Sequence, residues 1–148
     1  MSTRTHNAVA TVAIRAPLEI IQVLTVQPVE REVRISVEWT ASTPLDLHQN
    51  DGGLLVKHPQ ILGSSVAGTV VEVGPAVRNL AIGDQVSQTR NLEFYLRIST
   101  GLTSTKVFGF CFEEAKCKAQ QEFVTVPETS LGKVNHKNGV HIAVLTLL

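Results

Sequence analysis

Residues 32–40, EVRISVEWT, alternate with a period of two: Val33, Ile35, Val37 and Trp39 are apolar, and Arg34, Ser36, Glu38 and Thr40 are polar between them. Only an extended strand sends successive side chains to opposite sides, so this run specifies a β-strand with one buried face and one solvated face. Short β-rich runs recur at 8–14, 19–26, 66–73 and 122–126, separated by proline or glycine. A chain patterned this way predicts an all-β barrel or sandwich. The single helix expected is at TPLDLHQN, residues 43–50. Thr43 can cap it, Pro44 suits the first helical position because its missing N–H would be unpaired there anyway, and Gly52 with Gly53 closes the turn.

The chain has 148 residues and 43% apolar content, which suffices for one domain with a real core and is short for two. Thirteen basic residues balance thirteen acidic ones and no lysine or arginine cluster occurs, so neither nucleic acid nor an anionic membrane is an expected partner. The apolar patch at 8–14 is stopped by Arg15 with no small-residue cleavage site after it, and the final IAVLTLL falls far short of the ~20 residues that span a bilayer. Two cysteines, Cys111 and Cys117, are too few for a disulfide scaffold or a four-cysteine zinc lobe. They are expected as packed or surface thiols in a reduced, cytoplasmic setting.

The stretch ILGSSVAGTVVEVG, residues 61–74, invites sharper readings. A phosphate loop needs a lysine after its second glycine; Gly63 and Gly68 have the spacing, but Thr69 and Val70 follow. A nucleophile elbow needs GxSxG on a strand-to-helix turn, whereas Gly63, Ser65 and Ala67 lead into the β-rich VVEV. What remains is structural: Gly63 and Gly68 let the backbone bend or approach closely, while Val66, Val70 and Val73 fill the interior of a barrel.

Taken in order, ASTPLDLHQNDGG, ILGSSVAGTVVEVG and GDQV resemble the N-terminal GroES-like domain of the medium-chain dehydrogenase/reductase superfamily. Within it they look closest to the zinc-independent, fungal trans-enoyl reductase-like branch found beside polyketide synthases. The resemblance covers residues 6–133 and implies a mainly β, partly open GroES-like barrel with one or two short helices. In the family a Rossmann domain follows; its GxGxxG turn does not occur here, so that domain is expected to be absent. In zinc-dependent members the position matching Ser64 is a histidine ligand, that matching Ser65 is glutamate, and a cysteine ligand lies near Thr43. Neutral hydroxyls bind zinc poorly beside imidazole and thiolate, so the resemblance implies no metal site.

The reaction implied is hydride transfer from NADPH to the β-carbon of an activated double bond in a small enoyl or carbonyl substrate, the developing enolate being stabilised by oriented dipoles. A polyketide synthase is an implied partner. Carried over residue by residue, Thr43, Pro44, Leu45 and Asp46 line the cofactor side of the cleft, with His48 a weaker candidate. The same residues also read as an ordinary helix start, with Asp46 a first-turn acid favoured by the helix dipole and His48 a solvated loop residue. No catalytic residue is implied.

The resemblance breaks at two places. Residues 86–106 read as an insertion of 21 residues and 134–148 as an atypical tail. The ends of both are compatible with unspliced introns, the alternative being a genuine loop insertion and a natural end. On this reading the chain is truncated, supplies only a wall of the cleft and does not reduce enoyl substrates alone. The alternative from a different class is a non-catalytic barrel acting as a binding or subunit-interaction module.

Overall fold

The computed structural model of the chain describes residues 4–53, 57–88 and 115–134. Its strands are β1 (Thr5–Thr11), β2 (Glu19–Leu24), β3 (Glu32–Thr40), β4 (Gln60–Ile61), β5 (Val66–Val73), β6 (Gln85–Gln88), β7 (Phe123–Pro127) and β8 (Gly132–Lys133). One α-helix, α1 (Pro44–Asn50), and single 3-10 turns at Ala115–Cys117 and Glu128–Ser130 complete the described elements. The strands form two antiparallel sheets, with orders β2-β1-β4 and β7-β3-β5-β6-β8. They are laced along one seam, where Val9 N–H donates to Gln120 C=O at 2.8 Å and Glu122 N–H to Asn7 C=O at 3.0 Å. The result is a mainly β, partly open barrel, as the resemblance implies.

β3 is the axis of the larger sheet, paired with β5 on one side and β7 on the other. Its apolar residues are buried in the first half only. Val33 and Ile35 are buried and Val37 is half-buried, but Trp39 is 70% exposed. The cause is a pair of slips in the β3–β5 register, between Arg34 and Ile35 and between Val37 and Trp39. Each puts an extra residue into one strand, bends it and re-aims the side chains that follow. Val73, expected in the interior, is 36% exposed at the end of β5, although it pairs with the buried Val33; the first slip leaves Val71 without a partner. Arg34, expected to face solvent, is buried. Its guanidinium pairs with Glu72 across the strands and lies 5.8 Å from the Phe123 ring.

The core is Val33, Ile35, Val66, Val70, Val86, Val124 and Val126, with Cys117 and Ala119 at its margin. Valine is stiff at χ1, so it loses little freedom on packing, and burying each side chain contributes about 1.5–3 kcal/mol. Cys117 is a packed thiol, as expected, with its Sγ donating to Thr125 C=O at 3.4 Å. Cys111 lies outside the described residues. Val86, first in the expected insertion, is a core residue of β6 that pairs with Gly68 and Lys133. Ser87 pairs with Ala67 and Gly132. Residues 89–106 of that segment, and the tail from 135, lie outside the described residues. No helix among those described is long and apolar enough to cross a membrane.

Candidate functional site

After β3 the chain turns through Ala41 and Ser42 into α1, which starts as its sequence requires. Thr43 is the extended N-cap, Pro44 is the first helical residue, and Asp46 supplies the acidic half of a capping box. Asp46 is only 6% exposed, and both its oxygens are occupied. Oδ2 accepts the Thr43 N–H at 2.7 Å and the Thr43 hydroxyl at 3.0 Å. Oδ1 accepts the Gly63 N–H at 2.8 Å. A charged acceptor makes each of these bonds stronger than a neutral one. The carboxylate therefore draws the head of α1 and the turn after β4 into one corner.

Two further features shape that corner. Gly63 has φ of 89°, in the region that favours glycine, and a Cβ there would sit 2.9 Å from the Gln120 nitrogen. The turn is thus held against the segment before β7, where Gln120 N–H donates to Leu62 C=O at 3.0 Å. Next in sequence, the Ser64 Oγ is buried without a hydrogen-bond partner among the described residues, as is the Nε2 of Gln49 on α1. On the far side, the Thr40 hydroxyl donates to Ser65 C=O at 3.1 Å.

The four predicted site residues sit together by virtue of the helix start. Thr43 and Leu45 are half-buried, Pro44 is exposed, and Asp46 lies behind them. His48 is exposed, with its ring against Gly53, where an added Cβ would lie 2.5 Å from its Cδ2 and Nε2. A groove of about 440 Å³ adjoins the corner, lined among others by Val9, Ile20, Val37, Thr40, Ser42 and Gln120. Its apolar walls and hydroxyl-bearing end suit a ligand with one apolar and one polar part. Glu122 stands on its rim, where the Asn7 backbone and side-chain amides hold its carboxyl below the ordinary range. Sequence reasoning reached Ser64 only as a replaced zinc-ligand position and missed the groove. The groove needs β1, β3 and residues 119–122 brought together from distant parts of the chain.

This architecture is that of a GroES-like domain. The alcohol dehydrogenase GroES-like domain model matches residues 29–136, and the chain belongs to that family, the alcohol dehydrogenase-like branch of the medium-chain oxidoreductases. The L-threonine 3-dehydrogenase of Thermococcus kodakarensis is 41% identical over 73 residues, 47% of this chain and 21% of that protein. Dehydrogenase orsE of Emericella nidulans is 43% identical over 56 residues, 37% of this chain and 16% of that protein. In fold, benzyl alcohol dehydrogenase from Acinetobacter calcoaceticus superposes with a TM-score of 0.73 at 23% identity, over 90% of this chain and 42% of that one. The matches thus span about a fifth of the curated relatives and two fifths of the solved structure. These relatives extend beyond any enoyl reductase branch.

Proposed function

We propose that this chain forms one wall of the substrate and cofactor cleft in an NADPH-dependent, zinc-independent oxidoreductase of the enoyl reductase type. Family membership supports the oxidoreductase class. The observation that carries the narrower reading is the chemistry of the corner that Asp46 gathers: beside the committed carboxylate it holds the Thr43 hydroxyl and, next to Gly63, the Ser64 Oγ, which has no hydrogen-bond partner among the described residues.

A catalytic zinc does not fit that donor set. Asp46 is already committed to Thr43 and Gly63, and neutral hydroxyls compete poorly for zinc with imidazole and thiolate. Among the described residues no group of three or more His, Cys, Asp or Glu side chains is placed to hold a metal ion.

In this reading bound NADPH supplies the hydride to the β-carbon of a small enoyl or carbonyl substrate. Thr43, Pro44 and Leu45 form the cofactor-side wall, and Asp46 fixes that wall from behind. A polyketide synthase in the cytoplasm is the source of acyl substrate that the resemblance suggests. On this reading residues 6–133 contribute the wall, and the grip on the cofactor's pyrophosphate belongs to a GxGxxG turn of the Rossmann type.

The test is a chimera in which residues 6–133 replace the matching domain of a related reductase. It is expected to oxidise NADPH with a 2-enoyl thioester and to keep that activity in a metal chelator. The purified chain alone is expected to oxidise no NADPH. Chelator-sensitive turnover of the chimera, or a preference for oxidising alcohols, would sink the reading.

A further inference from the structure

β2 is an outer strand of its sheet, and its free side is built to pair with itself. Thr25 N–H donates to Arg4 C=O at 2.9 Å, which makes Arg4 and Thr25 a bonded pair of the β1–β2 ladder. In an antiparallel ladder bonded and non-bonded pairs alternate, so residues 23, 21 and 19 also turn their backbone groups towards β1. The opposite strand agrees: Asn7 and Val9 point their N–H groups away from β2, to Glu122 and Gln120. Ile20, Gln22 and Leu24 therefore direct their backbone N–H and C=O outward, where no backbone partner meets them among the described residues.

The side chains along this edge match the backbone. Residues 18–26, LEIIQVLTV, are close to a palindrome about Gln22: Leu18 mirrors Val26, Glu19 mirrors Thr25, Ile20 mirrors Leu24, and Ile21 mirrors Val23. Ile20 is 75% and Leu24 61% exposed, and Leu18 and Val26 are exposed as well. Glu19 is the one charged residue of the stretch, so an antiparallel self-pairing centred on Gln22 brings no like charges face to face. Natural edge strands are commonly blunted by lysine, proline or an inward charge, and residues 20–24 carry none of these.

We propose that β2 pairs antiparallel with β2 of a second copy of this chain, about a twofold axis through Gln22. In this register every outward backbone group meets an outward group of the other copy, and Ile20 packs against Leu24 of the second copy. The sheets merge into one of order β4-β1-β2-β2-β1-β4. Both β2 edges are consumed and β4, the other edge, has two residues, so the assembly closes as a dimer instead of growing. The inference stands on the strand alone and is independent of the proposed cofactor chemistry.

Sedimentation velocity of the full chain, without cofactor or substrate, tests it. The wild type is expected to show a monomer–dimer equilibrium. Gln22→Pro removes one outward N–H at the centre and leaves the backbone bonds to β1 in place, losing only the side-chain bond from Gln22 to Asn7, and is expected to weaken dimerisation by at least about tenfold. Register is tested by two double variants at exposed positions. Ile20→Lys with Leu24→Lys sets like charges opposite each other and is expected to give monomers, whereas Ile20→Lys with Leu24→Glu sets opposite charges together and is expected to restore the dimer. Should Gln22→Pro unfold, this pair of variants still decides. A wild type that stays monomeric, a wild type that forms open-ended aggregates, or double variants that behave alike would overturn the proposal.

Discussion

The Oδ1 of Asp46 lies 2.8 Å from the backbone nitrogen of Gly63, so a single buried carboxylate fastens the first turn of α1 to the turn that follows β4. Its other oxygen holds the Thr43 amide and hydroxyl. A side chain that looks like a helix cap in isolation is thereby a brace between two segments of the candidate site.

Asp46→Asn tests the brace. Asparagine keeps one carbonyl oxygen and turns an N–H₂ group towards donors that need acceptors, so at least one buried N–H loses its partner. The variant is expected to lose about 2–3 kcal/mol of stability, read as a lower urea midpoint with an unchanged slope.

Gly68 and Gly83 separate two kinds of glycine requirement. A Cβ on Gly68 would fall inside contact distance of the Ser36 carbonyl oxygen on β3, a backbone atom that cannot step aside. Gly68→Ala is expected to cost more than ~3 kcal/mol and to leave most of the protein insoluble. Gly83 has φ of 91° but open space around it, so Gly83→Ala meets only backbone strain of about 1–3 kcal/mol. Soluble yield and urea midpoints compare the two.

Ile35 and Trp39 share a strand and differ in burial. Ile35→Ala empties a fully buried site in the core and is expected to cost about 2–5 kcal/mol. Trp39→Ala is expected to stay within about 0.5 kcal/mol of the wild type, because the side chain is largely in water. Trp39 is the only tryptophan, so the native fluorescence is expected to resemble that of a solvated indole and to shift little on unfolding.

Acid is expected to weaken the fold through Glu128, Glu122 and Asp84. The Arg78 and Asn79 backbone N–H groups hold the Glu128 carboxyl below its ordinary range, as the Asn7 amides do for Glu122 and Lys133 with the Ala81 N–H does for Asp84. A carboxyl with a depressed folded pKa binds its proton more readily when unfolded. Its contribution is complete above the unfolded value of about 4 and is lost as pH falls through the lower folded value. Stability is therefore expected to decline below about pH 4, and Glu128→Gln to flatten that decline in urea titrations at stepped pH. An unchanged slope in the variant would show that Glu128 does not report on folding.

Much of the candidate site was legible because it is local. Thr43, Pro44 and Asp46 specify a helix start within four residues, and the helix forms there. The unpartnered Ser64 hydroxyl and the groove beside Ser42 were not legible. Both depend on Gly63 being pressed against Gln120 and on residues 119–122 being laced to β1, contacts between parts of the chain far apart in sequence.

The sequence alone determined the β architecture, through the two-residue period of β3 and β5, together with the place of α1 and the family, through motifs in fixed order. Tertiary structure decided which strand faces are inside. The register slip between Val37 and Trp39 turned Trp39 outward, and the cross-strand Glu72 and Phe123 allowed Arg34 to be buried. A period of two tells a strand to alternate, but the face each residue finally takes is set by pairing with a neighbour some 30 residues away, where one extra residue in the ladder reverses every side chain beyond it.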